Sequence, residues 1–502
     1  MINNKSQFLK ATFLSFVLCI ILPNLTLAQS NSKFDLVLDG GRVIDPETNL
    51  DAVRNIGIKN GRITEISTLQ LHGKENIDVS GLVVAPGFID MHVHGISNKE
   101  QEYQVHDGVT TALELEIGVP FLGAWYKHRQ SKALINYGAS VSWPYKRAEV
   151  MHDSEASLAK IGAEINKNGW NTTKLERSIS LSTNYIALPS NQMPEMLKKI
   201  ESSLENGALG IAIPIGYLPG AKREEVYRLY QMAGAMQIPI YTHVRNGGTI
   251  AIQQAISNAV LTNAPLHIVH VNSMALDEIE LAIEMVNTAQ KRGFDITTEM
   301  YPYTAGSTGI ASAIFDDGWQ ERLGISYQDL QWVSTGERLT EESFNTYRKK
   351  GGTLILHIMK PEWIRAGIAT EGTIIASDGM HYAKLAHPRT AGTFSRVLGK
   401  YVREEQVLSL SEAIEKMTLL PAKRLEKVSP MMRFKGRIQV GVDADITIFD
   451  PNSIIDKATF EKGLEFSQGV HFVLVNGKLV LKDGKILNNT FPGEAIYGKY
   501  KK

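Results

Sequence analysis

The sequence predicts an α/β protein: a (β/α)8 barrel of the TIM type with a small β-sandwich domain built from both chain ends. Three observations carry this. Through the middle of the chain, short and almost wholly apolar segments alternate with helix-length amphipathic ones, the pattern of parallel strands covered by helices. Eight such strand segments can be counted, which favours a closed barrel over a doubly wound sheet. Short strand-like runs with turn residues between them stand at both ends of the chain.

The 502 residues begin differently. Lys5 and Lys10 precede an apolar stretch from Ala11 to Leu22, and the segment closes on Thr26-Leu27-Ala28. That is the form of a secretory signal cleaved after residue 28, with an apolar part short for a membrane span. An uncleaved anchor is the other reading. The only cysteine, Cys19, lies inside this segment. The mature chain therefore has no disulfide, no thiolate nucleophile or metal ligand, and no cysteine to carry a lipid. A soluble exported protein is expected, periplasmic where the cell has an outer membrane.

Residues 29–85 are read as the first part of the β-sandwich domain. "FDLVLDGGRVIDP" and "NIGIKNGRITEI" carry Asp39-Gly40-Gly41 and Asn60-Gly61 as hairpin punctuation. The barrel is assigned to 86–430. Its strands are "FIDMHVHG", "GVTTALELE", "INYGASVSW", "ALGIAIPIG", "IPIYTHVRN", "PLHIVHVNS", "GFDITTEMYPY" and "GTIIASDGM". "EEVYRLYQMAGAM" and "ALDEIELAIEMVNTAQKRG" are two of its helices, and the weakly patterned 304–350 reads as a loop or lid near the site. Residues 431–502 return to short strands, with Asn476-Gly477 and Asp483-Gly484 as turns. These two β-rich ends are expected to pair.

Apolar and charged contents of 43% and 21% are ordinary for a globular chain. Basic and acidic residues balance at 53 each, and removal of 1–28 would take away only two lysines. Nothing in this charge suggests a nucleic-acid partner.

A barrel places its active site at the C-terminal ends of the strands. Strand one ends in His92 and His94, which alternation puts on one face with Asp90. Strand two offers Glu114 and Glu116 on one face. His243 and Arg245 end strand five, His270 ends strand six, and Asp378 ends strand eight. Each alone has a bland reading: a hydrogen-bonded core histidine, or for Asp378 a helix N-cap. A closed barrel brings the ends together, and nitrogen and oxygen ligands without sulfur suit Zn²⁺ or another divalent ion, one or two. Such an ion lowers the pKa of its water to roughly 7, and an aspartate beside it can pass the proton to a leaving nitrogen.

These residues resemble the strand-end signature of the amidohydrolase superfamily: HxH, a bridging residue, His, His, Asp. The resemblance narrows to the N-acyl-D-amino-acid deacylase (D-aminoacylase) family. It is carried by "APGFIDMHVHG", "DGVTTALELE", "GALGIAIPIGYLPGA", "EMYPYTAGST", "HPRTAGTFSRVLGKYVRE" and "GRIQVGVDADITIFDP", and spans nearly the whole mature chain. It implies that His92, His94, His243 and His270 are metal ligands and Asp378 the general base and acid. A cysteine after strand two is common in the family. Here that position falls around Ile117, so Glu116 is expected to take over as a bridging carboxylate, with Glu114 a buried partner.

By the same resemblance Arg389, Tyr301, Tyr303 and Tyr217 match positions that grip a substrate carboxylate, and Arg245 joins them as a candidate. Arginine suits this by its fork of donors; for Tyr217 and Tyr303, packing is an equal reading. Asn272 stands where a basic residue often follows the strand-six histidine, which weakens a case for an acidic substrate side chain. His381 and His387 are placed at the mouth, and His267, out of phase with His270, is read as structural. The implied reaction is metal-dependent hydrolysis of an amide bond, removing an acyl group from an N-acyl-D-amino acid. The alternatives are another superfamily hydrolase, acting on a cyclic amide, a dipeptide or a lactone, or a barrel used only as a binding scaffold. The expected partner is a small-molecule substrate, with no nucleic acid, and no membrane once the signal is cleaved. The oligomeric state is left open.

Overall fold

The structure, a computed structural model, describes residues 33–151, 182–381 and 385–502. The expected signal at 1–28 lies outside the described residues.

Eight parallel strands follow one another in chain order around one sheet. They are Phe88–Asp90, Val109–Val119, Asn136–Ser142, Ile211–Pro214, Ile240–His243, Leu266–Ile268, Ile296–Met300 and Ile374–Ile375. All eight match the segments read from the sequence. Most are short and wholly buried because each is covered outside by a helix and faces packed side chains within. Ring closure is made beyond the strands proper. The Ser377 N–H donates to Asp90 Oδ1 (3.0 Å), and the His94 N–H donates to the Gly379 carbonyl (2.7 Å). The covering helices bury one stripe each. Helix Met193–Glu205 buries Met196, Ile200 and Leu204, and helix Ile279–Lys291 buries Ile279, Ala282, Ile283, Val286 and Ala289, the three-and-four spacing of an amphipathic helix.

The chain ends share one nine-stranded sheet. Its two halves join where Val83–Pro86 pairs antiparallel with Ile446–Phe449, in the register Val84 to Ile448. A core of its own, including Leu38, Val43, Ile56, Ile446 and Leu474, lies against it. Asn60-Gly61, Asn476-Gly477 and Asp483-Gly484 all have positive φ at both residues, the requirement of tight hairpin turns. Asp39-Gly40-Gly41 does not turn the chain, contrary to expectation. Strand Phe34–Asp45 runs straight through it, and the pairing slips between Leu38 and Gly41 as a bulge.

The weakly patterned segment is neither loop nor simple lid. Gly306–Gly309, Leu330–Trp332 and Thr353–Leu356 form a three-stranded antiparallel sheet. It packs with helix Glu341–Lys350 around Phe315, Trp319, Leu330, Trp332 and Phe344. This insert stands between strands seven and eight of the barrel.

Candidate metal centre and substrate cleft

Glu116 sits at the centre of the strand ends and is 2% exposed. Strand two reaches that position through an irregularity: between Glu114 and Val119 it spends five residues against two of strand three, from Ala139 to Val141. Such bulges re-aim side chains beside active sites. Gly118 is required there, because its φ is +71° and a Cβ would meet the Ser142 nitrogen at 2.6 Å.

The two oxygens of Glu116 face different histidine pairs. Oε2 lies 3.2 Å from His92 Nε2 and 3.2 Å from His94 Nε2. Oε1 lies 2.9 Å from His243 Nδ1 and 3.1 Å from His270 Nε2. Asp378 joins the first pair, its Oδ1 3.2 Å from His94 Nε2 and 3.5 Å from His92 Nε2. Glu114 lies behind: its Oε2 is 2.8 Å from His94 Nδ1, and its Oε1 accepts the Ile117 N–H at 3.1 Å. Of the two glutamates, Glu116 is thus the one inside the cluster. His92, Glu116 and His270, and likewise His92, His94 and Asp378, bring their ligand atoms within 4.8 Å of one another.

Two cluster residues depend on strained backbone. His270 has φ +33° and Asp378 φ +51°, a region that costs a residue with a Cβ on the order of 1 kcal/mol. Both follow the last strand residue rather than ending the strand, and the left-handed turn swings them inward.

The charges are strongly coupled. Burial pushes His92 and His94 down, but Asp378, Glu299, Glu114 and Glu116 outweigh it and hold both well above the ordinary imidazole range. For His243 burial wins, and its pKa is lowered. Burial would raise Glu116, yet four imidazoles hold it well below the usual carboxylate range. Asp378 is also depressed, because Arg389 and His92 overcome the burial cost. Two carboxylates and four imidazole nitrogens converging on one buried point are a donor set that a cation satisfies.

The cleft opens from this cluster and is lined by Tyr217, His243, His270, Tyr301, Asp378 and Arg389, and across from them by Ile314, Leu323, Leu356 and Ile358 of the insert. Arg389, 1% exposed, donates from Nη2 to Asp378 Oδ1 at 2.9 Å and lies 4.5 Å over the Tyr301 ring. Among the described residues, no hydrogen-bond partner meets its buried Nε and Nη1.

A sequence profile described as "Amidohydrolase family" matches residues 247–481. The D-aminoacylase of Alcaligenes xylosoxydans xylosoxydans is 28% identical over 481 residues, covering 91% of this chain and 96% of its own. The N-acyl-D-glutamate deacylase of the same organism is 27% identical over 470 residues, covering 89% and 93%. Among solved structures, the N-acyl-D-glutamate deacylase of Bordetella bronchiseptica, with zinc and a phosphonate mimic of the tetrahedral intermediate, superposes with a TM-score of 0.76 at 22% identity, covering 93% of this chain and all of its own. A crystal structure of D-aminoacylase gives 0.75 at 23% identity, covering 92% and 100%. At these identities the superpositions speak for the fold.

Not every expected residue reaches the cleft. Arg245 turns away, donating to the Ala221 carbonyl at 3.1 Å, and is absent from the cleft lining. Tyr303 is buried behind it, its hydroxyl donating to Asp456 Oδ2 at 3.1 Å under the Arg396 guanidinium. Each is held away from the cleft by its structural partner. His387 is fully buried rather than at the mouth, whereas the half-buried His381 ring lies 6.3 Å from His94. Asn272 donates to the Tyr301 carbonyl at 3.2 Å, pinning the end of strand seven.

The sequence reading passed over Glu299 and the four insert residues of the cleft wall. Glu299 was visible as an acid two residues before Tyr301 in an otherwise strand-like run. The insert residues carried no signal, since nothing local says which face of an insert meets a distant strand end.

Proposed function

We propose that this chain hydrolyses the amide bond of N-acyl-D-amino acids, with His92, His94, Glu116, His243 and His270 as metal ligands and Asp378 as the general base and acid. The observation that carries the reading is the division of Glu116, one oxygen to each histidine pair. That division suits one or two Zn²⁺ or similar divalent ions. Such an ion supplies a water of lowered pKa and polarises the carbonyl under attack.

The remaining work belongs to the side chains. Asp378, kept ionised by Arg389, accepts the proton of the attacking water and returns it to the leaving nitrogen. Arg389 presents its two unpartnered donors to the substrate carboxylate, the geometry in which arginine exceeds lysine. Tyr217 accepts from Thr308 at 3.2 Å, which leaves its hydroxyl proton to donate into the cleft. The insert walls exclude water from the reacting bond. The two D-amino-acid deacylases that match this chain along most of its length support the substrate class.

The test is chelation and replacement. Stripping metal should abolish hydrolysis of N-acyl-D-amino acids, and zinc should restore it. Equal turnover of D and L series would overturn the stereochemical assignment. Hydrolysis confined to cyclic amides, dipeptides or lactones would replace the substrate class, and a metal-loaded protein without hydrolysis would make the barrel a scaffold.

We also propose export, which the basic, apolar and small-residue order of residues 1–28 supports. Among the described residues no helix is long and apolar enough to cross a membrane. The mature protein should begin at Gln29 by N-terminal sequencing, and a retained Met1 would refute cleavage.

A further inference from the structure

Each histidine of the HxH pair has two ring nitrogens, and the Nε2 atoms of both face Glu116 and Asp378. What the Nδ1 atoms do is set elsewhere. His94 Nδ1 meets Glu114 Oε2 at 2.8 Å. His92 Nδ1 meets Glu299 Oε1 at 2.5 Å. Glu299 comes from strand seven, two residues beyond Thr297, and is 1% exposed. Its other oxygen, Oε2, is 2.9 Å from His267 Nε2, and His267 Nδ1 is 2.8 Å from Thr297 Oγ1. His267 and Thr297 are neighbours in the register of strands six and seven. A connected chain therefore runs Thr297, His267, Glu299, His92, Glu116 through the barrel interior.

A carboxylate buried in a barrel core is expensive, and an apolar side chain of similar volume would serve packing as well or better. Among the described residues, the hydrogen-bond partners that repay Glu299 are its two imidazoles. A carboxylate can only accept, so a bond to it puts the proton of a neutral His92 on Nδ1 and leaves the Nε2 lone pair pointing into the cluster. Glu114 does the same for His94. Partners of this kind fix the tautomer and ring orientation of metal-binding histidines.

We propose that Glu299 is a positioning residue of the metal centre: clamped by His267, it presents His92 Nε2 to the metal, as Glu114 presents that of His94. The inference rests on the reading of His92 and His94 as metal ligands. Its own content is that two carboxylates outside the ligand set, one of them three strands away from Glu116 on the far side of the HxH strand, determine how tightly metal is held.

The measurement is the zinc dissociation constant of the full-length mature protein by competition with a chromogenic chelator, alongside the melting temperature of the metal-free form. Glu299→Gln keeps an acceptor for His92 but loses the charge and sets an amide N–H₂ against His267. It should weaken zinc binding about 10- to 100-fold. Glu114→Gln should act in the same direction, and His267→Gln, which retains a donor toward Glu299, should do less than either. A purely structural Glu299 would lower the melting temperature and leave the zinc constant of the folded protein within about twofold of wild type, and that result overturns the proposal. Wild-type protein that takes up no zinc would instead overturn the metal reading beneath it.

Discussion

At the scale of single residues, the site turns on which atom of a side chain faces which neighbour. Glu116 serves both histidine pairs at once. Glu116→Ala should therefore release metal and reduce activity together, measured as metal per monomer and kcat/KM; intact metal content would refute the bridging role. Asp378→Asn keeps the shape and loses the base. It should lower kcat by about 10²- to 10⁴-fold per bound metal, and undiminished turnover would remove Asp378 from the mechanism.

His387 gives a prediction in pH. Burial, with Arg389 adding to it, holds its pKa well below the ordinary 6.5 against the opposing charge of Asp378, and His357 also presses it down. Its Nε2–H donates to the Ala305 carbonyl (2.8 Å), and Nδ1 accepts the Arg389 N–H (3.1 Å), so a second proton has no place. Above about pH 6.5 neither folded nor unfolded His387 is charged. Below it the unfolded ring takes a proton that the folded ring refuses, and stability is lost as pH falls. Urea titrations from pH 7 to pH 5 should show a smaller acid loss for His387→Gln than for wild type; parallel losses would contradict this.

At the scale of elements, the insert is the part whose form local pattern concealed. Its strands are three or four residues long, too short for alternation to register. Its order comes from an aromatic cluster instead, in which Phe344 stacks on Trp319 at 5.3 Å and lies 5.8 Å from Phe315. Phe344→Ala removes a buried aromatic worth about 3–5 kcal/mol, more than a small unit can lose and stay ordered. Because Ile314, Leu323, Leu356 and Ile358 bring this unit to the cleft, KM should rise while metal content holds. An unchanged KM in a variant whose insert has become protease-sensitive would remove the wall from substrate binding.

At the scale of the whole molecule, barrel and terminal sheet are joined by a buried polar knot. Lys435 Nζ donates to Asp445 Oδ2 at 2.7 Å and Asp443 Oδ2 at 3.1 Å. Asp445 Oδ2 also accepts from Asn136 of barrel strand three, and the Asp445 carbonyl accepts the Gly87 N–H where the chain enters the barrel. Lys435→Met would leave two carboxylates facing each other without a cation. Breaking such a pair costs about 3–5 kcal/mol, read as a fall in melting temperature with the zinc constant preserved. A variant as stable as wild type would show that the knot contributes specificity and not stability.

The eight strand segments, their order, the pairing of the two chain ends and the identities of His92, His94, Glu116, His243, His270 and Asp378 were all present in the sequence. Periodicity and residue type are local properties, and a closed barrel gathers whatever stands at its strand ends. Tertiary structure alone decided the rest. Arg245 and Tyr303 were turned away from the cleft by structural partners. Glu299 found His92 across the barrel interior, and an insert with no periodic signal became a wall. Each of these depends on a contact between residues far apart in the chain, and a side chain's direction past the end of its strand is set by such contacts.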